Sequence, residues 1–348
     1  MEAKEIERFV DSLFEEDIAI LRRILELRKP KGVDEYAERS GNGAPVCPEC
    51  GKPMTRNGKR EGRGQKWICL EHKATATTSG GTPFCHSRLA PGVFLKLIAA
   101  EINGFTLRDA ATICGVSAPT AFYVRQKFHA ALSETLSSTA LVGRVELDGK
   151  EFRINLKGTE PDKMPRKSKK RGCGSKETKH KVQAIFAIDE NDSMVAIVTG
   201  NGAEDRAKAD KMLPHLKGCK TLATDGKSCY IGLCEDNGMA HETVKSSTHS
   251  GERGETINEV NGMMSEFDLW YRKFRGVSVR HLQGYLDAFI FFKHLRYTKE
   301  LLDRPGAAME EFASSKVVIT CKQILEKAIP IDLYDAYGDY HYGIFADK

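Results

Sequence analysis

The chain has 348 residues, enough for two or three folded units with a substantial core. Its 53 Lys and Arg against 48 Asp and Glu give a formal charge of +5, and 41 % of the residues are apolar, an ordinary globular composition with a mildly basic balance. No run reaches the roughly 18–20 apolar residues of a membrane span. The charged start, Met1 to Glu7, leads into no signal-type segment, so a cytoplasmic chain without a membrane partner is expected.

Residues Glu5 to Lys29 carry apolar side chains at helical spacing, among them Ile6, Phe9, Leu13, Leu21 and Leu25, until Pro30 stops the pattern. With the Gly41 to Pro45 linker this makes an N-terminal helical segment, 1–45. Next, Cys47-Pro48-Glu49-Cys50 and Cys69-Leu70-Glu71-His72 form two ligand pairs around a strand-like spacer near Trp67. Each tight turn presents two donors, and a spacer that folds back brings the pairs together, as a tetrahedral zinc site requires. A structural zinc ribbon is expected over 46–90, with Cys47, Cys50, Cys69 and His72 as ligands. Cys114, Cys219, Cys229, Cys234 and Cys321 stand singly and read as reduced thiols.

Over 91–138 the pattern is helical. Thr106 can cap a two-turn helix that ends at Gly115, and Ser117 can cap the next, which has Pro119 in its first turn. A helix-turn-helix is expected, with Thr120, Tyr123, Arg125, Gln126 and Lys127 exposed toward DNA and Ala121, Val124 and Phe128 packed inward.

From Leu141 the pattern turns to strands: Val142 to Leu147, Val182 to Ile188 and Met194 to Thr199, then a helical stretch, then Thr221 to Ala223. Two longer helices follow, Thr256 to Phe274 and Val279 to Tyr297, giving a mixed α/β domain. Between two strands, Lys163 to Arg171 holds six basic residues in nine, and Arg166, Lys167, Lys169, Lys170 and Arg171 are expected to meet DNA phosphates. The later basic and aromatic stretch Trp270, Arg272, Lys273 and Arg275 is a further candidate for backbone contact. His241, His249 and His281 have no partners at ligand spacing.

Glu146 and Asp148 lie at i and i+2, on one face of a strand. Asp225 follows the Thr221 strand and precedes Gly226, so it belongs at a sheet edge, beside Asp148 if the two strands are neighbours. Paired carboxylates there can share divalent ions that activate water or a 3′-hydroxyl for phosphoryl transfer.

In this order, the chain resembles bacterial insertion-sequence transposases with an N-terminal zinc ribbon and a DDE-type, RNase H-like core. The likeness runs through Val145 to Gly158, Pro165 to Gly172, Thr224-Asp225-Gly226, Ile257 to Asn261 and Phe274 to Leu286. It implies a multidomain α+β chain: zinc ribbon and helix-turn-helix, an α/β RNase H-like core over 139–297 (a mixed sheet with flanking helices), and a helical extension over 298–348. It also implies Asp148 and Asp225 as the first two metal-binding carboxylates, Asn261 as the Asn of the third motif, and Mg²⁺ or Mn²⁺ as catalytic ion. The implied activity is binding of terminal inverted repeats by residues 46–135, followed by strand cleavage and transfer. The implied partners are double-stranded DNA, as transposon ends and target, and further copies of the chain. Two positions depart from the family: Gly149 follows the first Asp in place of Glu, and Met264 stands three residues after Asn261 in place of Glu or His. These substitutions leave a second reading, a decayed or domesticated DNA-binding descendant.

Overall fold

The computed structural model describes residues 34–36, 44–60, 64–158, 181–244 and 256–333. The helical stretch from Glu5 to Lys29, the basic run from Lys163 to Arg171 with its five proposed DNA contacts, and His249 lie outside the described residues. The chain divides into two compact units, one holding most of the described residues up to Ala131 together with His294–Thr320, the other holding mainly Leu132–Lys293.

The first unit contains a three-stranded antiparallel sheet of β1 (Thr55–Arg60), β2 (Gly64–Ile68) and β3 (Thr75–Thr77). Its helices are α1 (Pro91–Ile102), α2 (Leu107–Cys114) and the first part of α3 (Ala118–Leu136). α2 and α3 follow the expected pattern, with the turn at Gly115 and the Ser117 hydroxyl accepting the Thr120 N–H at 3.2 Å. Phe84, Phe94, Phe128 and Phe312 pack edge to face or stacked with centroids 5.2–6.0 Å apart. Phe312 belongs to α8 (Arg304–Ser314), so a late segment completes the core of the early helices.

The middle of α3 corrects one expectation. Arg125, Gln126 and Lys127 are 4 %, 5 % and 5 % exposed, not presented to solvent. The cause is a buried carboxylate on α1: Glu101 lies 3.5 Å from Arg125 Nε and 2.6 Å from His129 Nε2. Lys127 Nζ donates to the carbonyls of Pro83, at 3.1 Å, and Cys85. These charges are held by counter-charge and backbone dipoles, the condition under which long cationic side chains are buried. Thr120 and Tyr123, nearer the start of α3, are half-buried.

The second unit is built on a five-stranded sheet in the order β6-β5-β4-β7-β8. Its strands are β4 (Val142–Arg153), β5 (Lys181–Asp189), β6 (Met194–Asn201), β7 (Gly218–Thr224) and β8 (Ala240–Thr243). β4, β5 and β6 pair antiparallel, while β7 and β8 run parallel to β4. On one face Val145, Leu147, Ile185 and Leu222 pack with Met212, Tyr230 and Leu233, the last two from α5 (Ser228–Asn237). The short α4 (Arg206–Ala209) precedes Met212.

The other face is aromatic. Phe152 and Phe186 meet Phe267 of α6 (Asn258–Arg272), which also contacts Phe289 of α7 (Leu282–Thr298). Trp270 lies in this layer, 9 % exposed, so the expected DNA-facing stretch separates into a core Trp270 and exposed Arg272, Lys273 and Arg275. The edge of β6 is covered by the Gln283 amide, which accepts from Val198 N and donates to the Ala196 carbonyl, each at 2.9 Å.

Candidate active site and metal centre

In the first unit, the donor atoms of Cys47, Cys50, Cys69 and His72 all lie within 4.8 Å of one another. Cys50 and Cys69 sulfurs are 3.8 Å apart, and His72 Nδ1 is 3.9 Å from Cys47 and 3.8 Å from Cys69. Ligands about 2.0–2.3 Å from a tetrahedral zinc are separated by on the order of 3.5–4 Å, so this donor set fits that ion. The Cys69 thiol is lowered to about 6, first by the His72 backbone N–H and then by the His72 imidazole.

In the second unit, alternation along β4 directs Arg144, Glu146, Asp148 and Lys150 toward the α6 face of the sheet. Their fates differ. Glu146 is buried and accepts the N–H groups of Glu259 and Val260 at 2.9 and 3.2 Å, so it neutralises the positive start of α6. Arg144 bonds Glu146 at 2.9 Å, Glu242 of β8 at 2.8 Å and the Thr256 carbonyl at 2.8 Å. Lys150 pairs with Asp268, two turns farther along α6, at 2.8 Å.

The parallel β4–β7 register, Val145 opposite Leu222 and Glu146 opposite Ala223, continues to place Asp148 beside Asp225. Gly226, at φ +79°, turns the chain there, and a Cβ on it would lie 2.3 Å from Thr243 Cγ2. The two aspartates converge on one ammonium: Lys227 Nζ lies 2.8 Å from Asp225 and 3.8 Å from Asp148. Burial pushes the Asp148 carboxyl up to about 6; the Gly149 N–H and Lys227 act against this, while Asp225 and Glu204 add to it.

Glu204 escaped the sequence reading. It lies in the loop after β6, 5 % exposed, and its Oε2 is 3.0 Å from Lys227 Nζ and accepts the Tyr230 hydroxyl at 2.7 Å. Its Oε1 accepts the Gln183 amide at 2.7 Å. Burial opposes the Lys227 charge, but the hydrogen bonds it donates to Asp225 and Glu204 outweigh this and raise the pKa. No local motif marks Glu204; the one trace is Gly149, where a Cβ would lie 1.7 Å from Glu204 Oε1.

On α6, Asn261 is half-buried and its side chain makes no hydrogen bond among the described residues. Met264 is buried, and the acids farther along, Glu266 and Asp268, pair with Lys293 at 2.7 Å and Lys150 at 2.8 Å. His241 Nε2 bonds the Thr224 hydroxyl at 2.8 Å, and burial lowers its pKa, a structural position beside β7.

Residues 140–293 match the ISXO2-like transposase domain, and no curated protein matches the chain. The matched segment runs from the start of β4 into α7 and includes Asp148, Asp225 and Asn261. The strand order and flanking helices are consistent with an RNase H-like transposase domain. The chain therefore carries an insertion-sequence transposase domain of the ISXO2-like, DDE type.

Proposed function

We propose that the protein cleaves transposon ends and joins them to target DNA, with Asp148 and Asp225 as the acidic ligands of a catalytic Mg²⁺ or Mn²⁺. The reading rests above all on the convergence of both carboxylates on the Lys227 ammonium, because a pocket that gathers two anions around one cation suits a hard divalent ion. Bound there, such an ion lowers the pKa of an attacking water or 3′-hydroxyl and offsets charge on the transferred phosphoryl. The chain's residues do the positioning. Gly149 N–H orients Asp148 at 2.7 Å, and the Lys227 N–H orients Asp225 at 3.3 Å.

Along α6, Glu146 meets the first turn and Lys150 meets Asp268, so the stretch between, which includes Asn261 and Met264, is the part that passes Asp148. Met264 offers a thioether, which does not bind a hard cation, and Glu266 and Asp268 are engaged with lysines. The neutral amide of Asn261 is left as the polar contribution of α6 to the site.

DNA is the partner: ends recognised by the zinc ribbon and helix-turn-helix, with Thr120 and Tyr123 at the start of α3 as contacts, and the basic Arg166 to Arg171 segment on phosphates. Joining two ends to a target calls for more than one copy of the chain. Zinc at Cys47, Cys50, Cys69 and His72 holds together a sheet too small to have much core of its own.

Incubated with DNA ending in the element's inverted repeats and Mg²⁺ or Mn²⁺, the protein yields nicked and strand-transfer products. Asp148→Ala and Asp225→Ala each lower the rate by at least about 10²–10³-fold, the scale of losing a principal electrostatic group. Products that persist in both variants contradict the assignment, and an inert wild type supports the decayed DNA-binding copy.

The purified protein holds one zinc by elemental analysis, and Cys47→Ala or Cys69→Ala abolishes it. Zinc-free wild type, or unchanged content in those variants, excludes the ribbon.

Asp148 also sets a pH dependence. Its pKa rises from 3.8 to about 6 on folding, so the folded state holds the extra proton between these values. Stability falls as pH climbs through that window, and the deficit persists above it. Without added divalent ion, Asp148→Asn stabilises the protein at pH 7.5 by on the order of 1–2 kcal/mol, and the gain disappears below about pH 4. Thermal unfolding at the two pH values measures it; a variant no more stable than wild type at pH 7.5 refutes the argument.

A further inference from the structure

We propose that Lys227 is a tethered cation that fills the space between Asp148 and Asp225 until a divalent ion enters, and that Glu204 is the positioning residue that then receives it. The proposal rests on the metal-dependent reading above and adds two residues to it.

The geometry is that of a competition. Lys227 Nζ bonds Asp225 Oδ2 at 2.8 Å and lies 3.8 Å from Asp148 Oδ1, so it stands where an ion shared by the two aspartates would have to stand. The same ammonium is 3.0 Å from Glu204 Oε2. Lys227 precedes the first turn of α5, which fixes its backbone, so shifting its head group from Asp225 toward Glu204 needs only side-chain rotation.

Glu204 is fixed where the ammonium can reach it. Its buried carboxylate takes hydrogen bonds from Tyr230 on α5 and Gln183 on β5. The Gln183 amide donates to it although its own buried Oε1 then has no partner among the described residues, and the reverse orientation would set oxygen against oxygen. On β4, Gly149 leaves the room that the carboxylate occupies. Three strands or helices are thus shaped around one acid that touches neither aspartate through hydrogen bonds of its own.

Charge counting gives the direction. Three carboxylates around one ammonium carry a net charge of −2. A divalent ion held by Asp148 and Asp225, with Lys227 withdrawn to Glu204, leaves the cluster neutral and every charge paired. Without Glu204, the displaced ammonium would have no anion to move to, and the ion would have to overcome the full attraction of Lys227 for the aspartates.

The test is Mn²⁺ binding to the full-length, zinc-loaded protein, read by calorimetry and by the paramagnetic resonance of free Mn²⁺. Lys227→Met binds Mn²⁺ about tenfold more tightly or better, because the competing charge is gone. Glu204→Gln, which keeps the volume and polarity, binds about tenfold more weakly. The double variant returns to the Lys227→Met affinity, since Glu204 acts through Lys227. Equal or weaker binding by Lys227→Met overturns the proposal, as does a Glu204→Gln effect that survives in the double variant. Should Glu204→Gln not fold, the Lys227→Met affinity alone decides. Asp148→Ala separates this failure from that of the parent reading. Wild-type binding that Asp148→Ala abolishes and Lys227→Met leaves unchanged overturns only the tethered cation, and no Mn²⁺ binding by either wild type or Lys227→Met overturns both.

Discussion

The parallel pairing of β4 with β7 is the constraint on which the rest depends. Residues 148 and 225 are remote in sequence, and it is the register of Val145 with Leu222 and Glu146 with Ala223 that brings them together. The apolar residues that alternate with the carboxylates, Val145 and Leu147, are completely buried against Leu222 and Tyr230. Shifting the register by one residue would exchange the buried and polar faces, so the packing that stabilises the sheet also aligns the two acids. The proposed function is thereby tied to the core.

Charge sorting around that sheet is the second theme. The α6 face of β4 carries Arg144, Glu146, Asp148 and Lys150, and all but Asp148 are committed to fastening α6 or β8. Glu146 resembles Asp148 in the sequence pattern, yet two backbone N–H groups and Arg144 saturate it. Asp148, with a single backbone donor and a distant ammonium, is the strand carboxylate with capacity left for a ligand. Glu266 and Asp268 of α6 are similarly engaged with lysines, which leaves the β4 and β7 aspartates as the hard ligands of the proposed ion.

Local patterns made much of this legible in advance. Alternating apolar residues located β4, β5 and β6, the Ser117 cap and Gly115 located the α2–α3 turn, and the spacing of two pairs anticipated the convergence of Cys47, Cys50, Cys69 and His72. What stayed hidden depends on contacts between distant segments. Arg125 and Lys127 look like exposed cations by type, and nothing near them in sequence announces Glu101 or the Pro83 carbonyl. Glu204 and Lys227 lie in loops with no periodicity, and only folding brings them to Asp148. The packing of Phe312 on Phe94 and Phe128 was equally invisible, because a short late helix carries no mark of the core it completes.

The proposed chemistry needs one cation position shared by two strands. Anomalous diffraction from crystals soaked in Mn²⁺ examines it directly. The expected result is an ion within about 2.2 Å of an oxygen from each of Asp148 and Asp225, the distance of a hard divalent bond. Ions bound by one aspartate alone, or side chains directed to opposite sides of the sheet in the occupied crystals, would contradict it.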